Sequence, residues 1–150
     1  MAELLKGAPV ARALTEELAV RCAALRERGV VPTLAIVRVG EREDDLSYER
    51  GAFKRCEKVG IETRRVLLPA DVSQDELLTA IEDINTDSSV HGCLMFRPLP
   101  AGLDEDSVAA ALDPAKDVDS MTPASLLTTL SGFCPLHSRS RACFAGSLRR

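Results

Sequence analysis

The sequence predicts an α/β fold, a three-layer α/β/α sandwich with a mainly parallel sheet. Amphipathic helical stretches alternate with short apolar strands in the order helix, strand, helix, strand, helix, strand, helix. This order favours right-handed crossovers that make neighbouring strands parallel. The strand at residues 33–39 is β-branched and nearly all apolar, as expected for a parallel strand covered by helices on both faces. A chain of 150 residues is long enough to form one core of this kind.

The first half of the chain is predicted to hold two pairs of a helix followed by a strand. Helices are indicated by apolar residues spaced three or four apart, and a glycine ends each of them. The predicted elements are a helix over 9–28 ended by Gly29, a strand over 33–39, a helix over about 45–59 preceded by Asp44 and ended by Gly60, and a shorter strand over 61–69.

The second half continues the alternation with a helix that opens on a capping box. Ser73 and Glu76 stand at the spacing at which each side chain can bond the other's backbone N–H. Two prolines, which lack a backbone donor, stop the strand that follows. The predicted elements are a helix over 73–85, a buried strand over 93–96 stopped by Pro98 and Pro100, a helix over about 104–112, and a loop over 113–120.

Composition excludes several classes of function. The net charge of −4, the pI near 5.2 and an aromatic content of 3% argue against a nucleic-acid binder, which needs clustered cations and stacking aromatics. No apolar run of membrane-spanning length and no signal peptide are visible, so we expect a cytoplasmic protein without a membrane partner. The five cysteines include no C-x-x-C pair, which favours reduced thiols over a metal or disulfide framework.

A ligand site is expected at the carboxyl ends of the strands, where open α/β sheets bind their ligands. These ends carry the segments "VGERED", "LPADVS" and "FRPLPAG". The sequence has neither a G-x-G-x-x-G nor a Walker loop. It therefore offers a nucleotide pyrophosphate none of the usual glycine-rich cradles.

Three segments carry a resemblance to a known family: "VRVGEREDDLSYERGAFKRCEKVGI", "LLTAIEDINTDSSVHGCLMFRPLPAGLDED" and "LDPAKDVDS". In order and spacing they resemble the catalytic domain of methylenetetrahydrofolate dehydrogenase/methenyltetrahydrofolate cyclohydrolase. The resemblance runs from about residue 5 to 135 and implies a folate-binding domain over 1–135.

The resemblance also implies an activity and a cofactor. In the family, hydride passes from the methylene carbon of the folate to the nicotinamide of NADP or NAD, and water then opens the methenyl bridge. In the family the cofactor occupies a second, Rossmann-type domain, which we do not expect within these 150 residues, so no cofactor is predicted for the chain alone.

Family residues are carried over only where this sequence matches the motif. Tyr48 matches the tyrosine of the helix after the first strand, which implies a catalytic and substrate-binding role. Asp119 matches the aspartate that binds the pterin edge, whose N–H donors suit a carboxylate. Leu99, between the two prolines, is similar to part of the folate wall.

Two departures from the family concern the cyclohydrolase step. The family has a lysine four residues after the tyrosine, on the same helix face, but this sequence has Ala52 there and a lysine only at Lys54. Lys54 remains a candidate catalytic residue only if the helix shifts register or unwinds locally. Phe96 replaces the family glutamine that tunes the lysine. The neighbouring Arg97 should point away from Phe96 because side chains alternate along a strand, so the resemblance leaves the cyclohydrolase step in doubt.

Residues 136–150 form an irregular, Arg-rich tail that departs from the family. In a shifted reading frame, codons for "LHSRS" can encode Cys-Thr-Pro-Glu-Ala, the motif that the family has at this point. We hypothesise that the tail results from a frameshift; a natural basic extension that binds an acidic partner is the alternative.

A non-catalytic reading stays open beside the enzymatic one. The chain could be a truncated remnant or a folate-binding or dimerising module, and the chain alone is expected to be inactive. Two generic sites are disfavoured. His91 lies before a buried strand and is more consistent with a structural loop histidine than with a catalytic base. Asp117 and Asp119 lack an identifiable third metal ligand, so no metal site is predicted.

Overall fold

The computed structural model describes residues 7–130, apart from the side chains of residues 128–130. The tail at 136–150 and the proposed frameshift lie outside the described residues. The elements are α1 (Gly7–Glu27), β1 (Thr33–Val39), α2 (Glu43–Val59), β2 (Glu62–Leu68), α3 (Gln74–Thr86), β3 (Gly92–Met95), α4 (Glu105–Ala111) and α5 (Pro123–Leu130).

The described strands form one parallel sheet in the order β2-β1-β3. Val37 in the centre of β1 pairs with Val66 on one side and with Met95 on the other. Because all three strands run the same way, their carboxyl ends meet at one edge. This confirms the predicted parallel α/β sheet and places the turns after β1 and β3 side by side.

Helices cover both faces of the sheet, as predicted for a strand as apolar as β1. Alternate residues of β1 enter two clusters. The larger cluster joins Ala35, Val37 and Val39 to α3 and α4, whereas the smaller one joins Ile36 to α2. α1 packs on α2 and extends this layer. Residues of β1 from 35 onward are buried on both faces, which accounts for the strand's continuous apolar sequence.

The local sequence explains where the helices start and stop. Ser73 and Glu76 form the predicted capping box, with the Glu76 N–H donating to the Ser73 hydroxyl at 3.3 Å. α2 begins two residues earlier than expected, at Glu43, because its acidic first turn complements the helix dipole. It ends at Gly60, whose φ of 83° is the left-handed conformation that glycine adopts most easily.

One helix was not predicted. α5 starts at Pro123, and the Thr122 hydroxyl before it accepts the N–H of Ser125 at 3.1 Å. A threonine followed by proline is a recognised helix start, so the signal was present in the sequence. In the described part of the chain, no helix is long and apolar enough to cross a membrane. Within that part, Cys22, Cys56 and Cys93 are free and buried.

Candidate functional site

A cavity of about 360 Å³ opens at the carboxyl edge of the sheet, where β1 and β3 end. Its lining comes from the start of α2, the end of β3 and the loop after α4. This is the edge at which the parallel order of the strands predicts a ligand site. The lining residues are Arg42, Asp44, Asp45, Tyr48, Leu94, Met95, Phe96, Arg97 and Asp119.

One side of the cavity is an aromatic cluster of Tyr48, Ala52 and Phe96. The two rings meet edge to face, with centroids 5.5 Å apart and planes at 84°. Ala52 is buried beneath them and packs with Phe96 and Ile36. Tyr48 itself is 58% exposed, so its ring presents an open surface above an apolar floor.

The helical spacing therefore places Ala52 on the same side as Tyr48, as predicted. Lys54 is exposed and is not among the residues that line this cavity. α2 runs without a break from Glu43 to Val59, so the register shift or unwinding that a catalytic Lys54 requires does not occur here. Lys54 therefore lies outside the set of side chains that line the cavity.

Arg97 and Leu99, which follow Phe96, both contact Glu105 of α4. The Arg97 guanidinium lies 3.3 Å from the Glu105 carboxylate, and the Leu99 N–H donates to the same carboxylate at 3.0 Å. Arg97 borders the cavity alongside Phe96, contrary to the expected opposite orientation, but its charge is partnered. Leu99 packs against the larger core cluster and does not line the cavity.

A second part of the lining comes from an acidic loop, residues 116–120, which contains both aspartates of the "KDVDS" segment. Asp119 is exposed and lines the cavity. Asp117 is buried, 2% exposed, and accepts backbone N–H groups from Met121 at 3.1 Å and Thr122 at 2.8 Å. Of the two, only Asp119 can meet a ligand.

The electrostatics of the loop follow from these contacts. Burial raises the pKa of the Asp117 carboxyl, but the N–H groups of Thr122 and Met121 and the hydroxyls of Ser125 and Thr122 outweigh it, so the net pKa is lowered. Asp117 is consequently ionised at neutral pH. The thiol of Cys93 is affected in the opposite sense, since burial, followed by the negative charge of Asp117, raises its pKa to about 12.

Arg42 connects the start of α2 with the turn that follows β3. It precedes α2, and its Nη1 donates to the Pro98 carbonyl oxygen at 3.2 Å. Its Nε lies 3.8 Å from Asp45.

A buried ion pair between β1 and α2 was not predicted from the sequence. Arg38 Nε lies 2.8 Å from Glu49 Oε2, and both side chains are 7% exposed. Arg38 also donates to the Gly40 carbonyl oxygen. The signal was an arginine inside an otherwise apolar strand, because such a charge must find a partner when it is buried.

Two generic alternatives find no support in the geometry. His91 accepts the N–H of Thr33 through Nδ1 at 3.3 Å, which is the contact of a structural histidine. The Asp117 oxygens are occupied by N–H donors. Across residues 7–130, no cluster of three or more His, Cys, Asp or Glu side chains could hold a metal ion.

The same residues do not fit a dinucleotide cofactor. A pyrophosphate needs a glycine-rich turn that leads into a helix N-terminus. The turn from β1 into α2 holds only Gly40, which is followed by Glu41 and Arg42 and then by the acidic start of the helix. Carboxylates at that position would repel phosphate.

Comparisons with known proteins agree with this geometry. A profile of the family "tetrahydrofolate dehydrogenase/cyclohydrolase, catalytic domain" matches residues 5–119. The bifunctional protein FolD of Alkaliphilus oremlandii is 43% identical over 132 residues, which cover 88% of this chain and 46% of that protein. The chain thus spans about half the length of the curated relatives it matches.

Solved structures give the same result. The FolD methylenetetrahydrofolate dehydrogenase/cyclohydrolase of Campylobacter jejuni superposes with a TM-score of 0.82 at 32% identity, covering 84% of this chain and 45% of that one. The Trypanosoma brucei enzyme, solved with NADP cofactor and inhibitor, gives a TM-score of 0.79 at 29% identity over 85% of this chain and 43% of its own.

Proposed function

The chain belongs to the tetrahydrofolate dehydrogenase/cyclohydrolase family, and we propose that it is the folate-binding domain of a methylenetetrahydrofolate dehydrogenase in one-carbon folate metabolism. The domain extends over residues 1–135, with 136–150 as a tail of different origin. Its place of action is the cytoplasm. The observation that carries this proposal is that Tyr48 and Asp119 line one and the same cavity.

The cavity suits the chemistry of a reduced folate. A pterin ring offers adjacent N–H donors, which an ionised carboxylate accepts well, and Asp119 is the exposed carboxylate of the acidic loop. The aromatic part of the molecule would pack against the open ring of Tyr48, supported from below by Phe96. Tyr48 therefore positions the ligand, and Asp119 orients its polar edge.

The cyclohydrolase step is lost in this proposal. That step needs a group that moves a proton to or from water, and the resemblance implies a lysine tuned by a glutamine. Here the two positions hold Ala52 and Phe96, which pack against each other. Ala52 and Phe96 thus fill these two positions with apolar side chains. A lysine or a glutamine introduced alone would be buried there without its polar partner.

The dehydrogenase step depends on a nicotinamide cofactor, which takes up the hydride when it is bound. Because residues 7–130 do not fit that cofactor, it would be held by a separate domain. We therefore expect no reduction of NADP or NAD when the 150-residue chain is mixed with methylenetetrahydrofolate. Steady formation of reduced nicotinamide would contradict this part of the proposal.

Calorimetric titration with tetrahydrofolate tests the binding role. The wild-type chain should bind, and Asp119→Ala should weaken binding by about 10- to 100-fold, the loss expected for a charge-assisted pair of hydrogen bonds. Asp106→Ala, which removes an exposed carboxylate from α4, is the matched control and should bind like wild type. Equal affinity of the wild type and Asp119→Ala would reject the assigned site.

A second candidate, a non-catalytic dimerising module, is favoured by exposed apolar side chains on α1. Val10 is 69% and Leu14 is 43% exposed, and the two lie four residues apart on one face of the helix. Sedimentation equilibrium, combined with the tetrahydrofolate titration, would distinguish the candidates. A folded homodimer that binds no folate favours the module, whereas folate binding favours the enzymatic domain whatever the oligomeric state.

A further inference from the structure

The acidic loop is fixed from below by Lys116. The Lys116 ammonium group donates to three backbone carbonyl oxygens at the end of α3, those of Ile84 at 2.6 Å, Asn85 at 2.9 Å and Asp87 at 2.7 Å. An ammonium group has three donors, and all three are used. Carbonyl groups at the end of a helix have no N–H partner within the helix. Lys116 supplies hydrogen bonds to them and thereby attaches the loop to the end of α3.

The loop backbone is also paired with β3. Cys93 donates its N–H to the Lys116 carbonyl oxygen at 2.6 Å and accepts the N–H of Val118 at 3.5 Å. Gly92 permits this approach, because a Cβ at that position would lie 2.6 Å from Val118 Cγ1. The loop thus follows the edge of the sheet before it turns toward the cavity.

Asp117 fixes the loop from the other direction. Its Oδ1 accepts the N–H groups of Asp119 at 3.2 Å and Met121 at 3.1 Å, and its Oδ2 accepts that of Thr122 at 2.8 Å. These bonds wrap the backbone around one buried carboxylate. Ser120, between the bonded residues, is held at a φ of 57°, a conformation that a non-glycine residue rarely adopts without such support.

We propose that Lys116 and Asp117 are positioning residues that hold Asp119 against the cavity. Their opposite charges balance within the loop and are directed inward, so Asp119 supplies the loop's exposed charge. Neither residue lines the cavity, and both act on a ligand only through Asp119. The inference rests on the proposed folate role in one respect, that Asp119 contacts the ligand.

A double-mutant cycle in the full chain tests this. Asp117→Asn keeps the size of the side chain but turns an N–H donor toward Thr122. It should raise the dissociation constant for tetrahydrofolate about tenfold in the wild-type background, as expected for a lost hydrogen bond to a charged group. In the Asp119→Ala background the same change should have no further effect. Asp83→Asn, the same substitution at an exposed position of α3, should change neither constant.

An equal loss of affinity in both backgrounds, or no loss in either, would overturn the proposal. If Asp117→Asn does not fold, Lys116→Met takes its place in the cycle with the same expected coupling.

Amide hydrogen exchange separates this inference from the folate role, because it needs no ligand. Asp117→Asn and Lys116→Met should accelerate exchange at residues 119–122 at least about tenfold while leaving Ile81 and Ile84 of α3 protected. That result in a chain that binds no folate would support the loop anchors and reject the folate site. Unchanged exchange at 119–122, or acceleration spread equally over α3, would overturn the positioning role.

Discussion

The acidic loop and the aromatic cluster, which both line the cavity, are held in place by different kinds of interaction. The acidic loop is held by charged and polar contacts, and it presents one carboxylate, that of Asp119. The aromatic cluster is held by apolar packing around Phe96 and presents the ring of Tyr48. The acidic loop therefore offers a ligand an exposed carboxylate, whereas the aromatic cluster offers a ring surface with no lysine or glutamine beside it.

The largest effect on the aromatic side is expected from removing the buried charge pair that joins α2, the helix of Tyr48 and Ala52, to β1. Glu49→Ala leaves the Arg38 guanidinium buried without its carboxylate, so we expect a loss of about 3–5 kcal/mol in the free energy of unfolding. Glu57→Ala, an exposed position on the same helix, should change it by less than about 0.5 kcal/mol. Chemical denaturation measures both, and similar losses in the two variants would refute the role of the pair.

The acidic side should be the more sensitive to pH. The folded pKa of Asp117 is lowered, so its stabilisation is complete above the unfolded value of about 3.9 and is lost as the pH falls through the folded pKa. Unfolding free energies measured from pH 6 down to pH 2 should therefore fall, and Asp117→Asn should make that fall shallower. The fall will not vanish, because Glu76, Asp87 and Asp104 also have lowered pKa values. An unchanged slope in Asp117→Asn would be inconsistent with this assignment.

The contact between the two rings can be measured by a double-mutant cycle. Tyr48→Ala and Phe96→Ala should show a coupling of about 0.5–1.5 kcal/mol in unfolding free energy, the value typical of edge-to-face pairs. Phe53 is the matched control, because its ring contacts Arg65 instead of Tyr48. Coupling between Tyr48 and Phe53 of the same size would show that the cycle does not report the ring contact.

The smallest effect is expected at Ser120 in the acidic loop. Ser120→Gly relieves a positive φ and should stabilise the fold by about 0.5–1 kcal/mol after the entropic cost of glycine. Ser47→Gly, in the exposed part of α2, should destabilise it by about 0.5 kcal/mol. Thermal unfolding gives both signs. A loss of stability on Ser120→Gly would mean that the loop imposes no strain at this position.

The helices and strands were predictable because short sequence patterns mark each of them. The apolar run of β1 gave its bounds, and the spacing of Ser73 and Glu76 gave the start of α3. The face shared by Tyr48 and Ala52 followed from helical geometry alone. These features depend on neighbours in sequence.

The parts of the site that sequence did not predict depend on neighbours in space. The partner of Arg38 is eleven residues away on another element, and the carbonyls bound by Lys116 belong to the end of a preceding helix. Asp117 and Asp119 are chemically identical and two residues apart, yet one is buried and the other faces the cavity. Only the path of the loop along β3 distinguishes them.

Mapping of amide chemical shifts during titration with tetrahydrofolate tests the central claim most directly. We predict that the shifts concentrate on Tyr48, Phe96 and Asp119, which line the cavity, and leave Lys54 unaffected. Shifts that are absent at saturating ligand, or that concentrate away from these three residues, would contradict the account.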